Sequence, residues 1–210
     1  MKNIAIFASG SGSNFKSIHR HILSGIIPGK ISIVISNNPT SGAIKYAKTH
    51  NIPTYIISKN RCPDPMLREQ LLTNELLEKN IDLICLAGYM KLIPKGIVGK
   101  FKNLILNIHP SLLPKFGGKG FFGINVHQAV IESGSKETGV TIHFVDDSYD
   151  SGKIIEQKKI NVLSDDTAET LASRVLKIEH MFYPKIIKAF CEGRISWNNI
   201  HSKVEIVFED

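Results

Sequence analysis

Asn107 and His109 stand two residues apart at the end of an apolar run, in the stretch NLILNIHPSLLP from Asn103 to Pro114. In a strand, residues i and i+2 point the same way, so the two side chains face one space where the strand gives out. A sheet interior has no use for them, whereas a cleft does. An imidazole is the side chain most easily made a general acid or base near neutral pH, and an amide N–H can donate to a developing oxyanion. Taken alone, His109 is also explained as a ring that satisfies backbone groups before Pro110 turns the chain.

Three further stretches carry possible chemistry. FASGSGSN, Phe7 to Asn14, delivers a strand to a glycine-rich turn with a helix beginning at Ser13–Asn14. A helix N-terminus there suits an anion. The spacing lacks the third glycine of a dinucleotide fingerprint and the lysine of a Walker loop, so a monophosphate fits better than NAD. A plain capped turn is the structural alternative. DDSYDSG, Asp146 to Gly152, offers three aspartates, one of which can orient His109 and raise its pKa. Spacing does not say whether that is Asp146, Asp147 or Asp150. KFGGKGFFG, Lys115 to Gly123, is too glycine-rich for a core element and suits a loop that closes over a ligand. His143 lies in an alternating strand and is placed as a supporting residue behind the site. His50, His180 and His201 are read as structural or solvated, and Cys85 as a buried small hydrophobe.

The elements that must position these residues alternate along the first two-thirds of the chain. Apolar runs at Asn3–Ala8, Ile31–Ser36, TYIIS after Pro53, Asp82–Gly88 and Asn103–Ile108 suit strands covered on both faces. Helical patterns lie between them at Asn14–Leu23, Gly42–Thr49 and Met66–Glu78. This predicts an α/β fold built on a doubly wound, mostly parallel twisted sheet. After residue 135 the pattern changes to an antiparallel pair, Thr138–Val145 and Lys153–Val162, joined by the acidic segment. A long amphipathic helix follows, with a cap signal of Ser/Asp ahead of Glu169 and a kink or break expected at Pro184. The tail ISWNNIHSKVEIVF predicts a small hairpin. No linker or repeat interrupts residues 1–210, so a single domain is expected, with a phosphate-binding half over 1–100 and a catalytic half over 101–210.

Composition narrows the function classes. The 210 residues are 42% hydrophobic and 21% charged, ordinary for a globular protein. No apolar run reaches the roughly 18 to 20 residues that span a bilayer, so no membrane partner is expected. Three widely spaced cysteines without a CxxC pair argue for a reducing cytoplasm and against a zinc site or disulfide framework. The net charge of +7 comes from scattered lysines with no basic–aromatic block, so small anions are better partners than nucleic acid.

Together these segments resemble the glycinamide ribonucleotide transformylase family, folate-dependent enzymes of purine synthesis. The signatures are GSGSN at 10–14, LAGYMKLI at 86–93, LNIHPSLLP at 106–114, DSGKII at 150–155 and EHMFYP at 179–184, in family order over nearly the whole chain. The resemblance implies a Rossmann-like formyltransferase fold. It implies transfer of the formyl group of 10-formyltetrahydrofolate to the amine of glycinamide ribonucleotide, with no metal. Gly12, Ser13 and Asn14 would hold the substrate phosphate, with Glu179 contacting the same substrate. Met90, Lys91, Leu92 and Ile93 would line the folate pocket, which opens between the LAGYM strand end and the 140s loop, and Asn107 would also face the folate. Asn107, His109 and Asp150 would form the catalytic trio, which singles out Asp150 among the three aspartates. A cytoplasmic monomer or homodimer is expected.

Three positions depart from the family pattern. Lys91 stands where many relatives carry Arg, which keeps the charge and loses the bidentate fork. Lys153 follows DSG where Pro is frequent, and Gly117 replaces a frequent Pro. The neighbouring alternatives are formyltetrahydrofolate deformylase, which carries a preceding regulatory domain, and methionyl-tRNA formyltransferase, which carries a following tRNA-binding one. From other classes come a non-catalytic nucleotide-binding module and a basic nucleic-acid-binding protein, the latter recognisable by salt-sensitive binding.

Overall fold

A computed structural model describes residues 1–198 and 203–207. Seven strands hydrogen-bond in the order β3-β2-β1-β4-β5-β6-β7, and a separate pair is formed by β8 and β9. The chain divides into two compact units, Met1–Leu106 and Asn107–Asp210.

In the first unit, β1 (Lys2–Phe7) is fully buried from Ile4 onward and pairs in parallel with β2 (Gly29–Ser36) on one side and β4 (Leu83–Leu86) on the other. β2 pairs in parallel with β3 (Thr54–Ile56), which is shorter than the TYIIS run suggested. Three helices, α1 (Ser13–Leu23), α2 (Gly42–Thr49) and α3 (Pro65–Glu78), connect the strands where the patterns placed them. Each cap differs. Ser41 accepts from the Ile44 N–H at the start of α2, and Asp64 accepts from the Met66 and Leu67 N–H groups with Pro65 in the first turn of α3. α1 begins after Gly12, with no side-chain cap and no acidic residue in its first turn. A short α4 (Lys95–Lys100) was not anticipated, because Gly96 and Gly99 break its pattern.

The chain leaves β1 for β2 and β3, then returns to β4 on the opposite side of β1. The strand order therefore reverses between β1 and β4, and open α/β sheets bind ligands beyond the carboxyl ends of the strands at such a reversal.

Strand β5 (Ile105–His109) carries the chain into the second unit. There β6 (Glu137–Phe144) and β7 (Ile154–Asn161) form the antiparallel pair, with a register shift between Ile142 and His143. Such irregularities bend a strand and re-aim a side chain. α5 (Ile124–Glu132), also unanticipated, packs against α6 (Ala168–Cys191). Its apolar spacing was present in Val126 and Val130, both fully buried, but the adjoining glycines hid it.

Two expectations for α6 are corrected. The cap sits one residue later than the Ser/Asp signal implied: Thr167 accepts from the Thr170 N–H, and Thr170 Oγ1 accepts from the Thr167 N–H. Asp166 is drawn instead to Arg174 and the Leu163 N–H. Of the kink or break expected at Pro184, the break does not occur, and the helix runs on to Cys191. Interior proline costs about 3 kcal/mol, and burial of the flanking Tyr183, Ile186 and Ile187 offsets it. β8 (Ile195–Asn198) and β9 (Lys203–Ile206) pair antiparallel, as the tail predicted. His201 lies outside the described residues.

Candidate active site

Asn107 and His109 are the third and last residues of β5, and Asp150 lies in the β6–β7 connection with a left-handed φ of 54°. The structure brings all three together inside the second unit. Asp150 Oδ2 lies 3.4 Å from His109 Nδ1, and Asp150 Oδ1 accepts from Asn107 Nδ2 at 3.2 Å. His109 is 4% exposed. Asp146 takes a different part: it accepts from the Ser148 N–H and the Ser151 hydroxyl, holding the turn.

His143 backs the site. Its Nδ1 lies 2.7 Å from the Phe144 carbonyl, which can only accept, so Nδ1 carries a hydrogen. In the neutral ring, Nε2 is then an acceptor, and Asn107 Nδ2 meets it at 3.0 Å. With acceptors at both His143 and Asp150, the Asn107 amide is oriented with its nitrogen toward them. Both amide hydrogens are thereby engaged.

The glycine-rich loop supplies two backbone groups that side-chain reasoning missed. The Phe116 carbonyl accepts from His109 Nε2 at 2.8 Å, and the Gly118 N–H donates to Asp150 Oδ2 at 2.9 Å. Phe116 holds a left-handed φ of 55°. Gly117 is tightly fitted: an added Cβ would lie 2.4 Å from Leu113 Cδ2 and 3.4 Å from Asp150 Cβ. Backbone contacts leave no signature in residue type, so nothing in KFGGKGFFG marked Phe116 or Gly118.

The electrostatics follow from burial and these contacts. Burial lowers the His109 pKa and, together with the nearby His143 ring, outweighs the Asp150 charge and the Phe116 carbonyl, which raise it. Asp150 does raise its partner, as the sequence suggested, but the net shift of His109 is downward. For Asp150 itself, burial favours the neutral acid. The nearby His143 ring, 3.7 Å away, the His109 charge and the Gly118 N–H outweigh it and hold the carboxyl below its usual value.

A third ring, His127 on α5, is 5% exposed, and its Nδ1 has no hydrogen-bond partner among the described residues. Burial first, and then the charge of His109, lower its pKa to about 4. The unfolded chain binds a proton on this ring near the ordinary 6.5, and the native chain does so only near 4. Native stability is therefore whole above pH 6.5 and declines as pH falls toward 4, by roughly 3 kcal/mol from this group. Urea unfolding between pH 7 and 4.5 is expected to show that decline, with a shallower slope in His127→Gln.

The first unit presents the other anticipated segments. Gly12 is buried with φ 73°, and an added Cβ would lie 2.9 Å from Ala43 Cα. Gly10 fastens the loop by accepting the Ala43 N–H. Ser13 and Asn14 open α1. Beyond β4, Met90, Lys91 and Leu92 are exposed, whereas the Ile93 side chain is buried in the core. Glu179, in the second unit, is 7% exposed on the buried side of α6. Cys85 is fully buried in β4, and His50 lies on the Tyr46 ring with its Nδ1 at the Tyr46 carbonyl.

An imidazole, a carboxylate and an amide thus meet at a strand end of a doubly wound, mostly parallel sheet. The chain belongs to the formyl transferase family, whose profile matches residues 2–187. It is 38% identical to the phosphoribosylglycinamide formyltransferase of Haemophilus influenzae over 195 residues, covering 93% of this chain and 90% of that one. It is 45% identical to the chloroplastic phosphoribosylglycinamide formyltransferase of Vigna unguiculata over 196 residues and 93% of this chain, but spans only 63% of that protein's length. The crystal structure of glycinamide ribonucleotide transformylase 1 from Symbiobacterium toebii superimposes with a TM-score of 0.90 at 36% identity, covering 99% of this chain and 95% of that one.

Proposed function

We propose that this chain transfers the formyl group of 10-formyltetrahydrofolate to the amine of N1-(5-phosphoribosyl)glycinamide. The products are formylglycinamide ribonucleotide and tetrahydrofolate, in a step of purine biosynthesis. The observation that carries the reading is the convergence of Asn107, His109 and Asp150, contributed by β5 and the β6–β7 connection, in a chain similar to named formyltransferases.

The amine attacks the formyl carbon, forming a C–N bond and a tetrahedral oxyanion. Collapse breaks the bond to folate N10, which takes a proton. His109 supplies positive charge and the proton path, and Asp150 keeps the ring turned and stabilises its cation. Asn107 turns one amide hydrogen to the oxyanion. The hydrogen now shared with Asp150 at 3.2 Å is the one it gives up, since the His143 contact is shorter. His109 Nε2 is released by displacement of the Phe116 carbonyl as the 115–123 loop moves.

Gly12, Ser13 and Asn14 hold the substrate phosphate, and Glu179 contacts the same substrate. Met90, Lys91 and Leu92 serve the folate, to which Ile93, its side chain buried in the core, offers only its backbone. The two units are halves of one formyltransferase domain. Its partners are these two small molecules, and a cytoplasmic location agrees with Cys62, Cys85 and Cys191 forming no disulfide among the described residues. No helix among the described residues is long and apolar enough to cross a membrane.

Gly12→Ala tests the phosphate site. A side chain at this left-handed position costs roughly 1–2 kcal/mol, and its Cβ collides with the backbone of α2. The expected result is a rise of about tenfold or more in KM for the ribonucleotide and a lowered melting temperature, with KM for the folate less affected. The reaction itself is tested by following folate product spectrophotometrically with and without the ribonucleotide. Turnover that requires the ribonucleotide supports the transfer. Turnover without it identifies a deformylase instead.

A further inference from the structure

Ser9 lies two residues beyond β1 and is 8% exposed. Its hydroxyl donates to Asn37 Oδ1 at 2.5 Å and accepts the Met90 N–H at 3.0 Å, while its own N–H donates to the Gly88 carbonyl at 3.0 Å. Asn37 directly follows β2, and Gly88 and Met90 follow β4. One buried serine thus ties together the carboxyl ends of three adjacent parallel strands, β2, β1 and β4. Two of them, β1 and β4, flank the reversal of strand order where a ligand crevice opens. Gly10, the first residue of the glycine loop, is its chain neighbour, and Met90 is the first residue of the exposed 90–92 segment.

The geometry points to Ser9 as a positioning residue that holds the 10–14 loop and the 88–93 segment in register, so that filling one ligand site prepares the other. The inference rests on the proposed reading that the first segment binds the ribonucleotide and the second the formyl folate. The chemistry requires a hydroxyl. It must donate to a carboxamide oxygen on one side and accept a backbone N–H on the other, which neither a methyl nor a thiol does well. Without it, the Met90 N–H and Asn37 Oδ1 lose the partner that joins them. Because Ser9 touches neither reacting atoms nor His109, its loss acts on binding rather than on chemistry.

The test uses the intact protein and Ser9→Ala, with Asn37→Ala as a half-buried second variant that removes only the hydroxyl's acceptor. Backbone hydrogen exchange at Met90, measured without any ligand, is expected to accelerate in Ser9→Ala. In steady-state assays KM for each substrate is expected to rise roughly three- to tenfold, with kcat within about twofold and the pH profile of kcat unchanged. Direct titration of one ligand at saturating amounts of the other is expected to show tighter binding in the wild type and a loss of that gain in Ser9→Ala. Asn37→Ala is expected to give a smaller change of the same kind. Unchanged KM values in a wild-type-active background, or a fall in kcat with a displaced pH profile, would overturn the assignment. Wild-type protein that performs no formyl transfer would sink the functional reading itself, and with it this role.

Discussion

His109→Ala is expected to lower kcat roughly 10²- to 10⁴-fold, the usual contribution of a positioned acid–base group, with much smaller changes in either KM. The ring is buried and engaged at both nitrogens, Nδ1 toward Asp150 and Nε2 toward Phe116, so its loss removes a single pre-oriented proton carrier. Stability should change little by comparison, because a cavity left at a strand end collapses more easily than one in the sheet centre. The pH dependence separates the role from mere packing. The net effect of burial places His109 below its ordinary pKa, so the wild-type profile of kcat/KM is expected to bend on the acid side of 6.5. That bend should be missing in His109→Ala. Stopped assays across pH 5 to 8 on both proteins measure it.

Asp150→Asn is the second large effect, expected to lower kcat roughly 10²- to 10³-fold. The carboxylate accepts from Gly118 N–H and Asn107 Nδ2 and faces the His109 ring. An amide can keep one of these acceptor roles but turns an N–H toward a donor for another, and it brings no charge. Since the Asp150 charge raises the His109 pKa, its removal shifts the His109 titration further down. The acid-side bend should therefore move to lower pH rather than vanish, a result that distinguishes Asp150→Asn from His109→Ala. Native stability carries its own signature. With its pKa held below the usual carboxylate value, Asp150 contributes stability that is present above the unfolded pKa of 3.8 and lost as pH falls below it. Asp150→Asn should remove that part of acid sensitivity.

The alternation of apolar runs with amphipathic segments was enough to read the parallel strands and the helices α1, α2 and α3, because burial on both faces writes itself into composition. Where glycines interrupt the pattern, at α4 and ahead of α5, periodicity was lost and the helices went unseen. At Pro184 the break half of the expectation failed for the opposite reason: a local propensity was overridden by the buried face around it. In the site, the period-two spacing of Asn107 and His109 was legible at once. The choice among Asp146, Asp147 and Asp150 was not, since all three sit in one polar loop, and only the resemblance singled out Asp150. The Phe116 carbonyl, the Gly118 N–H and the Ser9 hydroxyl bridge were illegible because their roles depend on where the backbone passes. The downward shift of His109 was missed as well, since the partner charge was foreseen but the depth of burial was not.

In the proposed reaction the formyl group passes from the folate directly to the ribonucleotide amine. The most direct measurement labels the formyl carbon of 10-formyltetrahydrofolate with ¹³C and follows it by NMR in the presence of enzyme and glycinamide ribonucleotide. The label is expected to appear as the formamide of formylglycinamide ribonucleotide, at a rate that His109→Ala and Asp150→Asn both suppress. Label that collects as free formate, or that reaches the ribonucleotide equally fast in those variants, would contradict it.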